Sequence, residues 1–233
     1  MARVDDGSTL GSRLGGGLAK TNLREQALRA LRNAVTSGEI EPGTPLVETE
    51  LSAALSISRG TLREALRQLQ QEGLVEMSDR GRLRVRTLSR TEIEDMFTVR
   101  SALEGLAAAI LARHPQREDV VAALQAALDA LAAATGSINE MTEIDLEFHR
   151  TLCKLTGNSA LLHTWEGIAG SIRMSIMFAG AESALANMSA ARHQHIVDVI
   201  AAGDHDRARQ VVDEHMQQAV ANLLGDLAPV PST

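Results

Sequence analysis

The sequence predicts a mostly α-helical protein of two parts, in which a β-hairpin separates a short basic segment from a long acidic one. Hydrophobic residues make up 44% of the 233 positions and aromatic residues only 2%, and the abundant alanine and leucine favour helices. Apolar residues recur at helical spacing over most of the chain, and strict alternation is confined to the hairpin. These observations predict two domains with different roles.

The N-terminal segment contains three predicted helices. Residues 1–19 are rich in glycine and lack periodicity, so we expect a flexible tail. An apolar stripe over 23–35 predicts the first helix, and a second, short helix starts at about Glu48. Ser58 is a good N-cap for a third helix that runs from Arg59 to Glu72 and ends at Gly73.

A predicted hairpin follows, with strands over 74–77 and 82–86 and a glycine-containing turn between them. The alternation places Leu83 and Val85 on one face of the second strand and arginines on the other. Three helices, the last two joined by a tight turn, and then a hairpin describe a winged helix-turn-helix over residues 20–88.

The charge of this segment indicates a nucleic-acid partner. The whole chain has a net charge of −7, but residues 21–90 hold 11 arginines against 9 acidic residues, and residues 91–233 hold 9 basic against 19 acidic residues. The basic segment is therefore the candidate for DNA binding. The alternative is that its arginines form only a solvated helix face and a charged edge strand.

The third helix and the hairpin supply the candidate DNA contacts. Arg59 and Arg63 are four residues apart, so they share one helix face and can each bond a guanine in two places. Ser58 and Thr61 can meet phosphate at the helix N-terminus. The hairpin is expected to carry four arginines outward as a wing, namely Arg80, Arg82, Arg84 and Arg86.

The acidic segment predicts an antiparallel bundle over residues 91–226, followed by a flexible tail at 227–233. Helix-breaking proline, glycine and asparagine residues divide this segment into six expected helices, at about 92–113, 117–134, 138–156, 159–179, 183–202 and 205–224.

Four residues of the bundle form a candidate metal site. Asp145 and His149 are four residues apart on one helix face, and His193 and His215 both lie about 15 Å from the turn at Gly203. Three imidazoles and a carboxylate suit a divalent transition metal, with zinc, nickel, manganese or iron all open. The alternative is that these histidines are hydrogen-bonded core residues, and His195 is a competing ligand.

Several segments resemble the GntR family of bacterial transcription regulators. Ile57–Leu66 resembles its recognition helix "VSRTPVREAL", Glu72–Val75 its "EGLV" and Gly38–Gly43 its "SGxxxPG" connection. The resemblance implies dimers on palindromic operators, base reading by Arg59 and Arg63, and Gly81 at the wing tip. The sequence departs from the family at two positions. Thr49 in place of an arginine implies a different operator half-site, and Gly60 in place of a threonine implies the loss of one phosphate contact.

The second half resembles the FCD sensor domain of the FadR-like subfamily. Asp145–Arg150 is similar to its "DxxFHR" motif, and His193–Ile196, Gly203-Asp204 and Glu214-His215 are similar to its C-terminal pattern. The resemblance implies an antiparallel helical bundle in which the aspartate and three histidines hold a metal. A small carboxylate effector would complete the coordination of that metal. Six sensor helices rather than seven would indicate the VanR-like branch.

Arg100, Asn158 and Arg173 are candidates to bind the remaining polar groups of such an effector, because arginine grips carboxylates in a bidentate manner. Surface ion pairing, for instance of Arg100 with Glu104, is the alternative. We expect effector binding to change the relative placement of the two winged helices and hence operator affinity, and release from DNA is the commoner outcome in the family.

Other classes of protein fit less well. The single cysteine, Cys153, excludes an intrachain disulfide, and we find neither an N-terminal apolar run nor a stretch of ~18 apolar residues, so we expect a cytoplasmic protein. A metal-dependent hydrolase remains an alternative, although no His-Glu-x-x-His motif is present and Glu147 points away from the candidate ligands. An effector-independent DNA-binding protein is the other.

Overall fold

The N-terminal domain is a winged helix-turn-helix, as predicted. The computed structural model describes residues 17–78, 81–178 and 181–225. Helix α1 (Gly17–Thr36) is followed by α2 (Glu48–Ala54), α3 (Arg59–Gln71) and an antiparallel hairpin of β1 (Val75–Met77) and β2 (Leu83–Val85). The apolar stripes of α1 and α3 meet in a core with the hairpin, formed by residues such as Leu31, Leu62, Leu66, Leu69, Leu74 and Val85.

The C-terminal domain is the expected helical bundle. Its helices are α4 (Arg90–Ala112), α5 (Arg117–Ala133), α6 (Ile138–Leu155), α7 (Ser159–Phe178), α8 (Ala181–Asn187), α9 (Ala190–Ala202) and α10 (His205–Gly225). Helices α4 and α10 pack together along their length, and α5 packs on α6 and α9. Capping boxes at Ser89 and Ser137 start α4 and α6, and Gly203 ends α9 in the left-handed region that glycine adopts without strain.

The expectation of six helices in this domain is wrong, because the described part of residues 90–225 contains seven. The segment predicted as one helix over 183–202 is divided into α8 and α9. Met188 still donates its backbone N–H to the carbonyl of Ala184, but Ser189 is extended and acts as the N-cap of a new helix. The count therefore gives no support for the VanR-like branch. Among the helices of the described ranges, none combines the length and hydropathy needed to cross a membrane.

Helix α7 belongs to the bundle but also contacts the N-terminal domain. Met174 is fully buried in the apolar core of the winged helix, and the Ser171 hydroxyl accepts a hydrogen bond from Arg86 at 2.8 Å. Gly170 lies against the backbone of Glu72, directly after α3. We call this contact, formed by Gly170, Ser171 and Met174 with Glu72 and Arg86, the interdomain seam.

Candidate nucleic-acid interface and metal centre

The predicted polar residues lie at the N-terminal end of α3, where Ser58, Arg59 and Arg63 are exposed and Thr61 is half-buried. The Ser58 hydroxyl accepts the backbone N–H of Thr61 at 3.1 Å, so it caps the helix and fixes its first turn. Arg59 and Arg63 are exposed, and the Arg63 guanidinium pairs with Glu48 on α2 at 2.8 Å. That pair holds the Arg63 side chain across the helix-turn-helix, and DNA would compete with Glu48 for it.

The hairpin departs from the predicted wing in one arginine. Gly81 is exposed with a φ of 71°, and Arg82 beside it is exposed. Arg84 is on the outward face as expected, where it pairs with Glu76 across the hairpin at 2.7 Å and keeps 41% of its side chain exposed. Arg86 instead points into the interdomain seam. Arg86 was therefore wrongly expected to face outward, because alternation along a strand fixes the face but not which neighbour covers it. Arg80 lies outside the described residues.

The three predicted histidines meet in the middle of the bundle. His149 comes from α6, His193 from α9 and His215 from α10, and all three are buried. One ring nitrogen of each lies within 4.8 Å of those of the other two. The rings of His193 and His215 are 4.6 Å apart between centroids, because α9 and α10 pair across the turn at Gly203.

The acceptor atoms of this cluster converge closely. Nε2 of His149 lies 3.0 Å from Nε2 of His193, and Oδ1 of Asp145 lies 3.1 Å from the same His193 atom. Two ligands at ~2.1 Å from a metal are roughly 3.0–3.4 Å from each other at the usual coordination angles. The separations therefore suit a shared divalent cation.

The outer nitrogens of two rings indicate their protonation. Nδ1 of His149 faces a carboxylate oxygen of Glu104 at 2.6 Å, and Nδ1 of His193 faces the backbone carbonyl of Ser189 at 2.9 Å. Both partners accept, so both Nδ1 atoms donate, and in the neutral rings the lone pairs of both Nε2 atoms point inward. Metal-binding histidines are typically oriented by such partners, which supports the fit of a metal to this cluster.

Burial favours the neutral form of two of the rings, which is the form that can bind a cation. It lowers the pKa of His149, which Glu104 only partly offsets, and it lowers the pKa of His215 well below its usual value, with His193 adding to the effect. Burial alone would raise the pKa of Glu104, but the charge of Arg100 and the hydrogen bonds from His149 and Arg100 outweigh it and hold that pKa at about 2. Glu104 is thus an ionised partner for His149.

Glu104 and Trp165 surround the candidate ligands without being ligands themselves, and sequence reasoning did not identify either in this role. Glu104 accepts hydrogen bonds from Arg100 at 2.7 Å and from the Trp165 indole N–H at 2.8 Å, in addition to its contact with His149. The single tryptophan of the chain was the available signal, because a buried indole N–H needs a partner.

The predicted effector residues are brought to different places. Arg100 lies beside the cluster, is 3% exposed, and leaves its buried Nη2 without a hydrogen-bond partner. Asn158 instead caps the start of α7 through Leu161, and Arg173 binds Glu143 in a bidentate pair near the interdomain seam. The structure does not bring these two to the cluster, because Asn158 lies in the loop before α7 and Arg173 faces Glu143 on α6.

One surface groove reaches the cluster. It has a volume of about 560 Å³, lies between α9 and α10, and includes His215 and the exposed His195 in its lining. His195 therefore faces the groove and is separate from the three clustered rings.

Two family matches cover most of the chain. Residues 23–85 match the gntR family of bacterial regulatory proteins, and residues 95–218, more than half of the chain, match the FCD domain.

Similar proteins are regulators by name. A probable D-xylose utilization operon transcriptional repressor of Paenarthrobacter nicotinovorans is 28% identical over 85% of this chain and 88% of its own length. The Nta operon transcriptional regulator of Aminobacter aminovorans is 28% identical over 81% and 88%. Among solved structures, a protein of Rhodococcus sp. RHA1 described as a GntR transcriptional regulator is 25% identical, with a TM-score of 0.69 over 88% of this chain and 99% of its own. E. coli McbR/YncC, at 20% identity, a TM-score of 0.68 and coverage of 87% and 97%, shares the fold.

Proposed function

The chain belongs to the GntR family of bacterial regulatory proteins and carries an FCD domain, and we propose that it is a transcriptional repressor whose operator affinity responds to a small carboxylate bound at a metal centre. The repressor role follows its relative in Paenarthrobacter nicotinovorans, which is named as a repressor. Such a regulator works in the cytoplasm, where the chromosome lies.

The observation that carries the proposal is the convergence of acceptors in a buried core. Nε2 of His193 lies at close range from Nε2 of His149 and Oδ1 of Asp145, and a divalent cation between these atoms would offset the repulsion of their lone pairs. We assign Asp145, His149, His193 and His215 as the ligands. A bound divalent metal would supply open coordination positions for a carboxylate. Zinc, nickel, manganese and iron all fit this donor set.

Arg100 is the residue we assign to the effector. Its guanidinium is buried and keeps one nitrogen unpaired, which costs free energy unless a ligand satisfies it. An effector carboxylate within reach of this nitrogen would form a charge-assisted hydrogen bond in a dry environment, where such bonds are strongest. The groove between α9 and α10 offers a path from the surface to His215.

The DNA contacts we propose are Ser58, Arg59, Thr61, Arg63, Arg80, Gly81 and Arg82. Two copies of this surface would read a palindrome, so we propose a homodimer. A groove of about 1230 Å³ between α4 and α10 is a suitable face, because exposed Leu106 lies on it beside apolar Val220. Its rim holds Arg209 and Asp213, and a patch with both charge signs can pair with its own copy across a twofold axis.

Metal content tests the metal centre. Chelator-treated protein is incubated with zinc or nickel, desalted and assayed for bound metal, with wild type beside a His193→Ala/His215→Ala variant. His195→Ala is the matched control, since this exposed ring is two residues from His193 and outside the cluster. We expect about one equivalent in wild type and control and almost none in the double variant. No uptake by the wild type would refute the metal centre.

DNA binding is tested separately with a duplex selected by the wild-type protein from a random-sequence library. Arg63→Ala should weaken binding by about 10- to 100-fold through loss of a base contact. Arg29→Ala, an exposed arginine on α1, serves as the control and should bind as wild type does. Equal affinities of the two variants would refute the assignment of α3 as the reading helix.

A further inference from the structure

Helix α7 contacts both the surroundings of the histidine cluster and the end of the proposed recognition helix. It runs without a break from Ser159 to Phe178. Its Trp165 lies in the bundle core, and its Gly170, Ser171 and Met174 form the interdomain seam. One rigid element thus links the two candidate sites.

The contact with the cluster is a chain of two hydrogen bonds. Trp165 is 1% exposed and donates its indole N–H to one oxygen of Glu104 at 2.8 Å. The other oxygen of Glu104 accepts from Nδ1 of His149 at 2.6 Å. A movement of the His149 ring towards a ligand therefore changes the position of the carboxylate that holds Trp165.

The contact with the recognition helix leaves no free space. A Cβ on Gly170 would overlap the carbonyl oxygen of Glu72, the C-cap residue of α3. Arg32 of α1 holds the Glu72 side chain in a bidentate pair at 2.7 and 2.9 Å, so Glu72 moves together with the rest of the winged helix. Any shift of α7 towards α3 must displace the end of α3, since packed cores are stiff.

The contacts of α7 with the cluster and with α3 are close together, so a movement of α7 at one contact reaches the other directly. Trp165 and Gly170 are five residues apart, about 7.5 Å along the helix axis. A helix of this length moves as one body over such a distance. Met174, one further turn along, is inserted into the core of the winged helix and prevents α7 from sliding without it.

We infer that α7 transmits occupancy of the histidine cluster to the recognition helix, with Trp165 as the positioning residue at the cluster and Gly170 as the contact on α3. The inference rests on the proposed metal centre. Coupling of this kind is a difference in free energy between two arrangements of the protein. Because α7 contacts the end of α3 directly, we expect a ligand at the cluster to alter the exposure of that end in the absence of DNA.

The test is hydrogen exchange of backbone amides over residues 68–75, measured on the full chain before and after addition of zinc chloride. In the wild type we expect exchange in this segment to change by about fivefold or more on zinc binding. Gly170→Ala separates α7 from Glu72, so its zinc response should vanish while zinc binding persists. Gly167→Ala is the matched control, because a Cβ there meets nothing within 4 Å.

A second variant keeps the test decisive if Gly170→Ala does not fold. Trp165→Phe keeps an aromatic ring in the core but removes the donor to Glu104, so it should bind zinc and lose most of the response of residues 68–75. Zinc uptake is measured for every variant. If wild type binds zinc and residues 68–75 do not respond, or if both variants respond as wild type does, the role of α7 is refuted and the metal centre stands. If wild type binds no zinc, the metal centre itself is refuted, and this inference falls with it.

Discussion

Met174→Ala should destabilise the winged helix although Met174 belongs to the C-terminal domain by sequence. Its side chain is 0% exposed and lies in the same apolar cluster as Leu31, Leu69 and Leu74. Truncation of a fully buried methionine costs about 2–5 kcal/mol, because the lost apolar contacts leave a cavity. We expect about 3 kcal/mol here, a large share of the roughly 5–15 kcal/mol that stabilises a typical protein.

Urea denaturation followed by circular dichroism measures this cost, and Met77→Ala is the matched control. Met77 lies in the hairpin and is 52% exposed, so its truncation should change the free energy of unfolding by less than about 0.5 kcal/mol. The early part of the unfolding transition should move to lower urea only in Met174→Ala. Superimposable transitions for the two variants would show that α7 is not seated in the winged-helix core.

Three further predictions concern single side chains. Ser58→Ala removes the cap of α3 and should lower the free energy of unfolding by about 1 kcal/mol in urea denaturation, whereas exposed Ser37→Ala should not. Leu106→Glu introduces a charge at the proposed dimer face and should shift sedimentation towards monomer. Leu185→Glu, at a similarly exposed position on α8, should leave the sedimentation unchanged. Cys153 is fully buried, and burial raises the pKa of its thiol, so it should react with Ellman's reagent only after denaturation; rapid reaction of the folded protein would contradict the described core.

Features set by local spacing were predictable from the sequence. Periodic apolar residues predicted the helices and the hairpin, and the similar distances of His193 and His215 from the Gly203-Asp204 turn predicted that the two rings would lie level with each other. The position of Asp145 one turn before His149 likewise placed both on one helix face. Each of these inferences needed only the geometry of one helix or one turn.

Features set by contacts between distant segments were not predictable. The pair of Arg100 and Glu104 was visible as a spacing of four residues, but its burial depends on α6 and α7 packing over it. Arg86 was expected to face DNA, and its actual partner, Ser171, is 85 residues away in sequence. Arg173 was likewise expected at the effector and instead pairs with Glu143. A side chain's chemistry limits its partners, but the tertiary fold selects one of them.

The interdomain seam limits how regulators of this kind can exchange their sensor domains. The linker before α4 is the obvious splice point for joining a DNA-binding module to a new sensor, yet a cut there removes Met174 from the pocket that it fills. A foreign sensor would leave that pocket empty and would place a side chain where Gly170 now meets Glu72. Exchange of sensors, in evolution or in the laboratory, must therefore carry the matching stretch of α7 with the winged helix that it fits.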